Sequence, residues 1–143
     1  MRKAARVKIY LMGGNIMSKV APYQFLYNDF FIDYVVDQVA NVRSTKPHTH
    51  NTGELLIVER GESTIATDDI IIRMNAPYLL YIPPRLTHEQ TNNPMLEYAR
   101  YCLSIDASYI DSEYELIPRT FFARGLDENE LIRLCEVVRM LYR

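Results

Sequence analysis

From residue 41 to about residue 106 the chain is a succession of short β-patterned runs, and this punctuation constrains the fold more than any other feature. "ELLIVE" ends at the turn "RGE", "STIAT" ends at Asp68-Asp69, and "IIIR" is followed by the breaker "MNAP". "YLLYI" stops at "PPR", and "HEQT" and "EYARYCLSI" complete the set. Runs this short, rich in β-branched and aromatic residues and divided by Gly, Pro and Asp, pair as an all-β sandwich or barrel. Pro83 and Pro84 lack the N–H that a central ladder requires, so they mark a strand end. Upstream, "FFIDYVVDQVA" at 30–40 reads as a further strand, and Gly13-Gly14-Asn15 marks a turn.

The pattern changes after Leu126. "LDENELIRLCEVVRMLYR" places Leu131, Leu134, Cys135, Val138, Leu141 and Tyr142 at helical spacing, one apolar stripe. Asp127, with Glu130 three residues later, predicts a capping box at the helix start. Helical spacing continues to the last residue with no Gly or Asn to close the helix, which suggests a chain cut from something longer. Two uses of the stripe are open: packing on the β-domain, or pairing with a second chain through Leu131, Leu134, Cys135, Val138 and Leu141.

Composition narrows the classes. A chain of 143 residues, 48% hydrophobic and 24% charged, can bury one core as one globular domain. Its net charge of −2 gives no basic face for phosphates, so direct nucleic-acid binding is not expected. The N-terminal cluster Arg2, Lys3, Arg6 and Lys8 reads as a solvated tail. Cys102 and Cys135 are too few and too far apart for a disulfide framework, and read as buried free thiols of a reducing compartment. "IYLM" is too short for a signal peptide and no run is long enough for a membrane span, so we expect a cytoplasmic location and no membrane partner. Eleven tyrosines and no tryptophan suit half-buried strands.

The chain's three histidines fall in two segments, "PHTHNTGELLIVERG" and "PPRLTHEQTN". If residues 48 to 58 form one regular strand, His48, His50 and Glu54 share a face with Leu56 and Val58. Polar groups on an inward face need partners or a ligand. With His88 they make a ligand set suited to Fe, Mn, Ni or Zn. The other reading is a set of hydrogen-bonded pocket residues without metal. Arg43, just before the motif, can fork onto a carboxylate. Tyr81 lies near the Pro-Pro corner. Convergence of Tyr81, His88 and Glu54 would suit a polar ligand such as a sugar or a small aromatic or organic acid. Tyr98, Arg100 and Cys102 share one face of their strand; we expect Arg100 to point outward into solvent.

These two segments resemble the paired motifs of cupins: "HTHNTGELLIVERG" has the form HxHxxxExxxxxxG, and in "PPRLTHEQTN" a proline precedes His88 and Asn92 follows it. Arg85 and Pro77 stand where cupins usually carry glycine. More specifically, "GELLIVERG", "LLYIPPRLTH" and the amphipathic helix resemble the N-terminal sensor domain of AraC-type transcriptional regulators, over roughly residues 30 to 143. The resemblance implies a mainly β chain: a cupin-like double-stranded β-helix, or jelly-roll barrel, followed by a C-terminal amphipathic helical segment. It implies an N-terminal segment of uncertain role at 1–29, the barrel at 30–110, and a linker with a dimerisation helix at 111–143. The function it implies is effector binding and homodimerisation, controlling a DNA-binding domain absent from this sequence, so that DNA is reached only through that domain. The runner-up is a small metal-dependent cupin enzyme, a dioxygenase or isomerase.

Overall fold

The computed structural model describes residues 10–13, 16–17, 23–24, 30–112 and 120–141. The N-terminal basic cluster, the second half of the Gly-Gly-Asn turn and Tyr142 lie outside the described residues. Among the described residues, twelve strands and two helices follow in chain order: β1 (Tyr10–Gly13), β2 (Ile16–Met17), β3 (Tyr23–Gln24), β4 (Phe30–Asp37), β5 (Thr45–His48), β6 (Thr52–Arg60), β7 (Glu62–Thr67), β8 (Ile71–Asn75), β9 (Tyr78–Ile82), β10 (His88–Asn92), β11 (Tyr98–Asp106), α1 (Ala107–Ser112), β12 (Phe122–Gly125) and α2 (Glu128–Met140).

The expected short strands all form. They assemble into an eight-stranded sheet, in the order β12-β9-β6-β11-β4-β1-β2 with β3 also on β4, and a four-stranded sheet, β5-β10-β7-β8. Gly61 makes the tight turn from β6 to β7 at φ +115°, a left-handed conformation that a side chain disfavours. Between the sheets lies an apolar core of Leu56, Val58, Ile65, Tyr78, Leu80, Ile82, Tyr98 and Cys102. The segment from 111 onward is more than linker and helix, because β12 pairs with β9 and extends the larger sheet.

A second cluster lies on the outer face of that sheet. Ile32, Ile57, Tyr101 and Leu126 pack there with Cys135 and Val138 of α2, flanked by Leu131 and Leu134. The predicted capping box is present: Asp127 Oδ1 accepts from the Glu130 N–H at 2.8 Å, and Glu130 Oε2 accepts from the Asp127 N–H at 3.0 Å. The helix ends at Met140, with Leu141 as its right-handed cap. The inner part of the helix stripe is engaged by this chain's own sheet, the first of the two uses that the sequence leaves open. Cys135 and Val138 are buried, and Leu131 and Leu134 partly so; of the five residues expected to pair with a second chain, only Leu141 is exposed. The physical reason is that the sheet's outer face carries its own apolar residues at alternate positions and needs a cover.

Candidate functional site

His48, His50 and Glu54 converge, though not as one strand. β5 ends at His48, the chain turns through residues 49–51, and β6 starts at Thr52 in the other sheet. His48 sits directly across from His88 in the β5–β10 ladder. The turn carrying His50 is tied to the turn before His88 by the Arg85 N–H, which donates to the His50 carbonyl at 2.8 Å. Arg85 takes φ +67°, a left-handed conformation that favours glycine, and its Nη1 donates to Asn51 Oδ1 at 3.2 Å.

The three imidazoles form one cluster. Ring centroids are 4.3 Å apart for His48–His88, 4.9 Å for His50–His88 and 5.5 Å for His48–His50. Each Nδ1 sits on a backbone carbonyl: His48 on Lys46 at 2.7 Å, His50 on Thr52 at 2.8 Å, His88 on Leu86 at 2.7 Å. That engagement selects the tautomer with a proton on Nδ1 and a free lone pair on Nε2, the arrangement that orients metal-ligating histidines. One ligand nitrogen from each ring lies within 4.8 Å of the others, so the donors fit a divalent ion. Glu54 falls outside this trio: its Oε1 lies 3.1 Å from His50 Nε2, close enough for an ion pair but off the line of a hydrogen bond.

The cluster has a graded electrostatic character. The Glu54 carboxylate raises the His50 pKa above the ordinary imidazole value, and burial opposes it. Burial pushes the Glu54 carboxyl up, but His50, with Arg100 and His88 behind it, outweighs burial and holds it below the usual range. Burial lowers the His88 pKa, and the neighbouring His48 and His50 lower it further.

A cavity of about 300 Å³ opens beside the cluster, inside the barrel. His48, Glu54 and His88 line one part, and Val35, Leu56 and Ile82 give it apolar wall. The remainder is polar. Asn92 Nδ2 donates to the Arg43 carbonyl at 2.7 Å, which fixes Asn92 Oδ1 as an acceptor. Ser63 Oγ donates to that oxygen at 2.6 Å and Gln90 Nε2 at 2.9 Å; Tyr78 O–H donates to Ser63 at 2.8 Å, and Gln90 Nε2 also donates to Tyr98 Oη at 2.9 Å. The chain of donors is therefore oriented from one backbone carbonyl outward. It leaves Gln90 Oε1 as an acceptor, without a protein donor among the described residues, on a side chain that lines the cavity.

Arg43 and Arg100 both line the cavity, and both are paired. Arg43 forks onto Asp37, Nε to Oδ2 at 3.1 Å and Nη2 to Oδ1 at 3.1 Å, with its backbone N–H on Oδ2 as well. Its fork is thus occupied by the protein rather than held open for a ligand. Arg100 points inward, correcting the expected outward position: the ladder sets it opposite Val58 and Val35, and its Nη1 donates to Asp33 Oδ1 at 2.8 Å. Tyr81 does not reach the cavity. Strand alternation turns Ile82 inward and Tyr81 to the other face, where its ring stacks on Phe122 at 5.7 Å and its hydroxyl lies close to Gly53. Gln90 and Asn92 were legible in the sequence, since both share parity with His88, but carried no expected role. Asp33, Asp37, Ser44 and Thr45 had no sequence signal beyond being polar.

A family model described as AraC-like ligand binding domain matches residues 34–143. Among solved structures, the fold is similar to that of an RmlC-like cupin family protein from Methanocaldococcus jannaschii with a double-stranded beta-helix fold, at 14% identity over 77% of this chain and 87% of that one, TM-score 0.51. It is also similar to ToxT from Vibrio cholerae O395, at 12% identity over 80% of this chain and 46% of that one, TM-score 0.56. Unsaturated fatty acid bound wild-type ToxT from Vibrio cholerae strain SCE256 gives 8% identity, coverages of 80% and 47%, and TM-score 0.58. The chain thus spans about half the length of ToxT. The barrel is a cupin double-stranded β-helix. No curated protein matches the sequence.

Proposed function

Because the chain belongs to the AraC-like ligand-binding domain family, we propose that it takes up a small effector in its barrel cavity and passes the bound state, through α2, to a DNA-binding domain outside this sequence. The observation that carries this reading is the cavity of about 300 Å³, lined by a pre-oriented polar network centred on the smaller sheet and, on the larger sheet, by Val35, Glu54, Leu56 and Arg100 of strands whose outer faces seat α2. A small solute held by several fixed donors and acceptors fits that space. ToxT is described with an unsaturated fatty acid bound; a long acyl chain would here face Glu54, Gln90, Asn92 and Arg100, and that lining supports a compact polar effector instead. No helix among the described residues is long and apolar enough to cross a membrane, in keeping with a cytoplasmic regulator.

Homodimerisation is part of this reading. With the inner stripe engaged, the face left for a second copy carries Val137, Met140 and Leu141, all exposed. Light scattering on a Met140→Glu, Leu141→Glu variant tests it: a folded monomer supports this face, and an unchanged dimer removes it.

The effector reading is tested by a thermal-shift screen of small polar solutes on chelator-treated protein. A solute at a hundredfold its Kd adds about 2.7 kcal/mol of stability. Its resonance shifts should map to the side-chain amides of Gln90 and Asn92. Hits that leave those amides unmoved, or no hits at all, count against the reading.

The histidine cluster favours one second reading, a metal centre. His48, His50 and His88 would hold a divalent ion (Fe, Mn, Ni or Zn) through Nε2, and Glu54, whose Oε1 lies 3.1 Å from His50 Nε2, would add a carboxylate donor to the set. Such an ion supplies Lewis acidity at the cavity wall, the chemistry a cupin enzyme would need. Elemental mass spectrometry decides: near one equivalent of metal, lost in His48→Ala and His88→Ala, supports the centre, and no metal after exposure to all four ions removes it.

A further inference from the structure

The charged groups around the cavity are already matched. Asp37, 2% exposed, takes both arms of Arg43, and Asp33 takes Arg100 at 2.8 Å. Glu54 lines the cavity as a third carboxylate. Asp37 and Glu54 line the cavity with Arg43 and Arg100, and Asp33 pairs with Arg100 from the neighbouring strand, so neither guanidinium charge is left over for an anion. A ligand carboxylate would meet two guanidiniums whose charges Asp37 and Asp33 already offset, so it would gain little ion-pair energy in return for its own desolvation. The neutral groups lean the same way, because the oriented network leaves Gln90 Oε1 as an acceptor needing a donor.

Resting on the effector-binding reading and narrowing it, we propose that this cavity selects an uncharged or cationic small molecule that donates hydrogen bonds, and rejects carboxylates, with the Asp33–Arg100 pair as the specificity-determining element. Asp33 and Arg100 are diagonal neighbours on adjacent strands β4 and β11, Asp33 in register with Cys102 and Arg100 with Val35, so the selectivity is built into the barrel wall rather than a loop.

Three probes of one skeleton and different charge test this on the full, chelator-treated chain: para-hydroxybenzoate, para-hydroxybenzamide and para-hydroxybenzylamine, titrated while the Gln90 and Asn92 amides are followed by NMR. The amide and the amine should bind at least about tenfold more tightly than the acid. Asp33→Asn keeps the side-chain shape but frees the Arg100 charge, so it should raise the affinity for the acid by about tenfold and lower that for the amine. Circular dichroism confirms that the variant is folded. An acid that binds wild type as well as the amine does, or an Asp33→Asn substitution that leaves the order unchanged, overturns this inference while effector binding stands. Absence of saturable binding by all three, together with an empty screen, removes both.

Discussion

Strand β11 carries Tyr98, Arg100 and Cys102 into the barrel, and Tyr101 and Leu103 toward α2. The same two-residue period thus serves a polar cavity on one face and a closed apolar layer on the other. On β4, Asp33 answers Arg100 inside, while Tyr34 packs against Tyr101 outside with the rings tilted by 35° and 4.4 Å between centroids. The two faces use polar residues differently. Outside, they sit at the margin, as where Arg139 Nε donates to Tyr101 Oη at 3.1 Å beside an apolar contact. Inside, they form the lining itself, each held by another, with space left over. A face whose polar groups are fixed but not filled is suited to selecting a ligand; a face filled by side chains is suited to transmitting a shift in strand position.

The largest effect should come from charging the closed face. Val138→Glu places a carboxylate against Ile57 and Tyr101 and should cost at least about 3 kcal/mol, read as a lower urea midpoint. A near-wild-type midpoint would mean that α2 does not pack as described. The open face should tolerate more. Asn92→Ala removes the acceptor that orients Ser63 and Gln90, and should cost about 1–3 kcal/mol while the barrel stays folded. If Asn92→Ala proved as damaging as Val138→Glu, the contrast between the faces would fail.

A smaller effect separates the faces by pH. His50 has a raised folded pKa, so its contribution is complete below its ordinary 6.5 and is lost as pH rises through the folded value. Glu54 has a lowered one, so its contribution is complete above its ordinary 4.5 and is lost as pH falls through the folded value. The pair therefore stabilises fully between pH 4.5 and 6.5. In chelator-treated protein, the Tm difference between wild type and Glu54→Gln should peak in that window and shrink on both sides. His88 has the opposite sign: its lowered folded pKa makes acidification below 6.5 destabilising, and His88→Gln should remove that loss. A flat Tm difference across pH would contradict the paired geometry. Val138→Glu measured over the same range should show no such peak, since the groups that give the window lie on the cavity side.

Much of this was legible in the sequence, for physical reasons that can be named. Turn residues and β-branched runs act locally, so the strands from Thr52 to Asp106 and the capping box at Asp127 follow from neighbours in the chain. The histidine spacing and the parity of His88, Gln90 and Asn92 likewise place polar groups on one face. Parity fixes which residues travel together; it does not say which side of a sheet is inside. That choice turned Arg100 inward and Tyr81 away, against expectation. The break between β5 and β6 brought His48, His50 and Glu54 together across two sheets rather than along one strand. The helix stripe was plain in the sequence, but what it covers depended on the apolar outer face of a sheet assembled from strands far apart in the chain. The sequence by itself determined the elements and the chemistry they carry. Only the tertiary structure decided which charges meet, because Asp33 and Arg100 lie on strands with no local relation and are joined by sheet register alone.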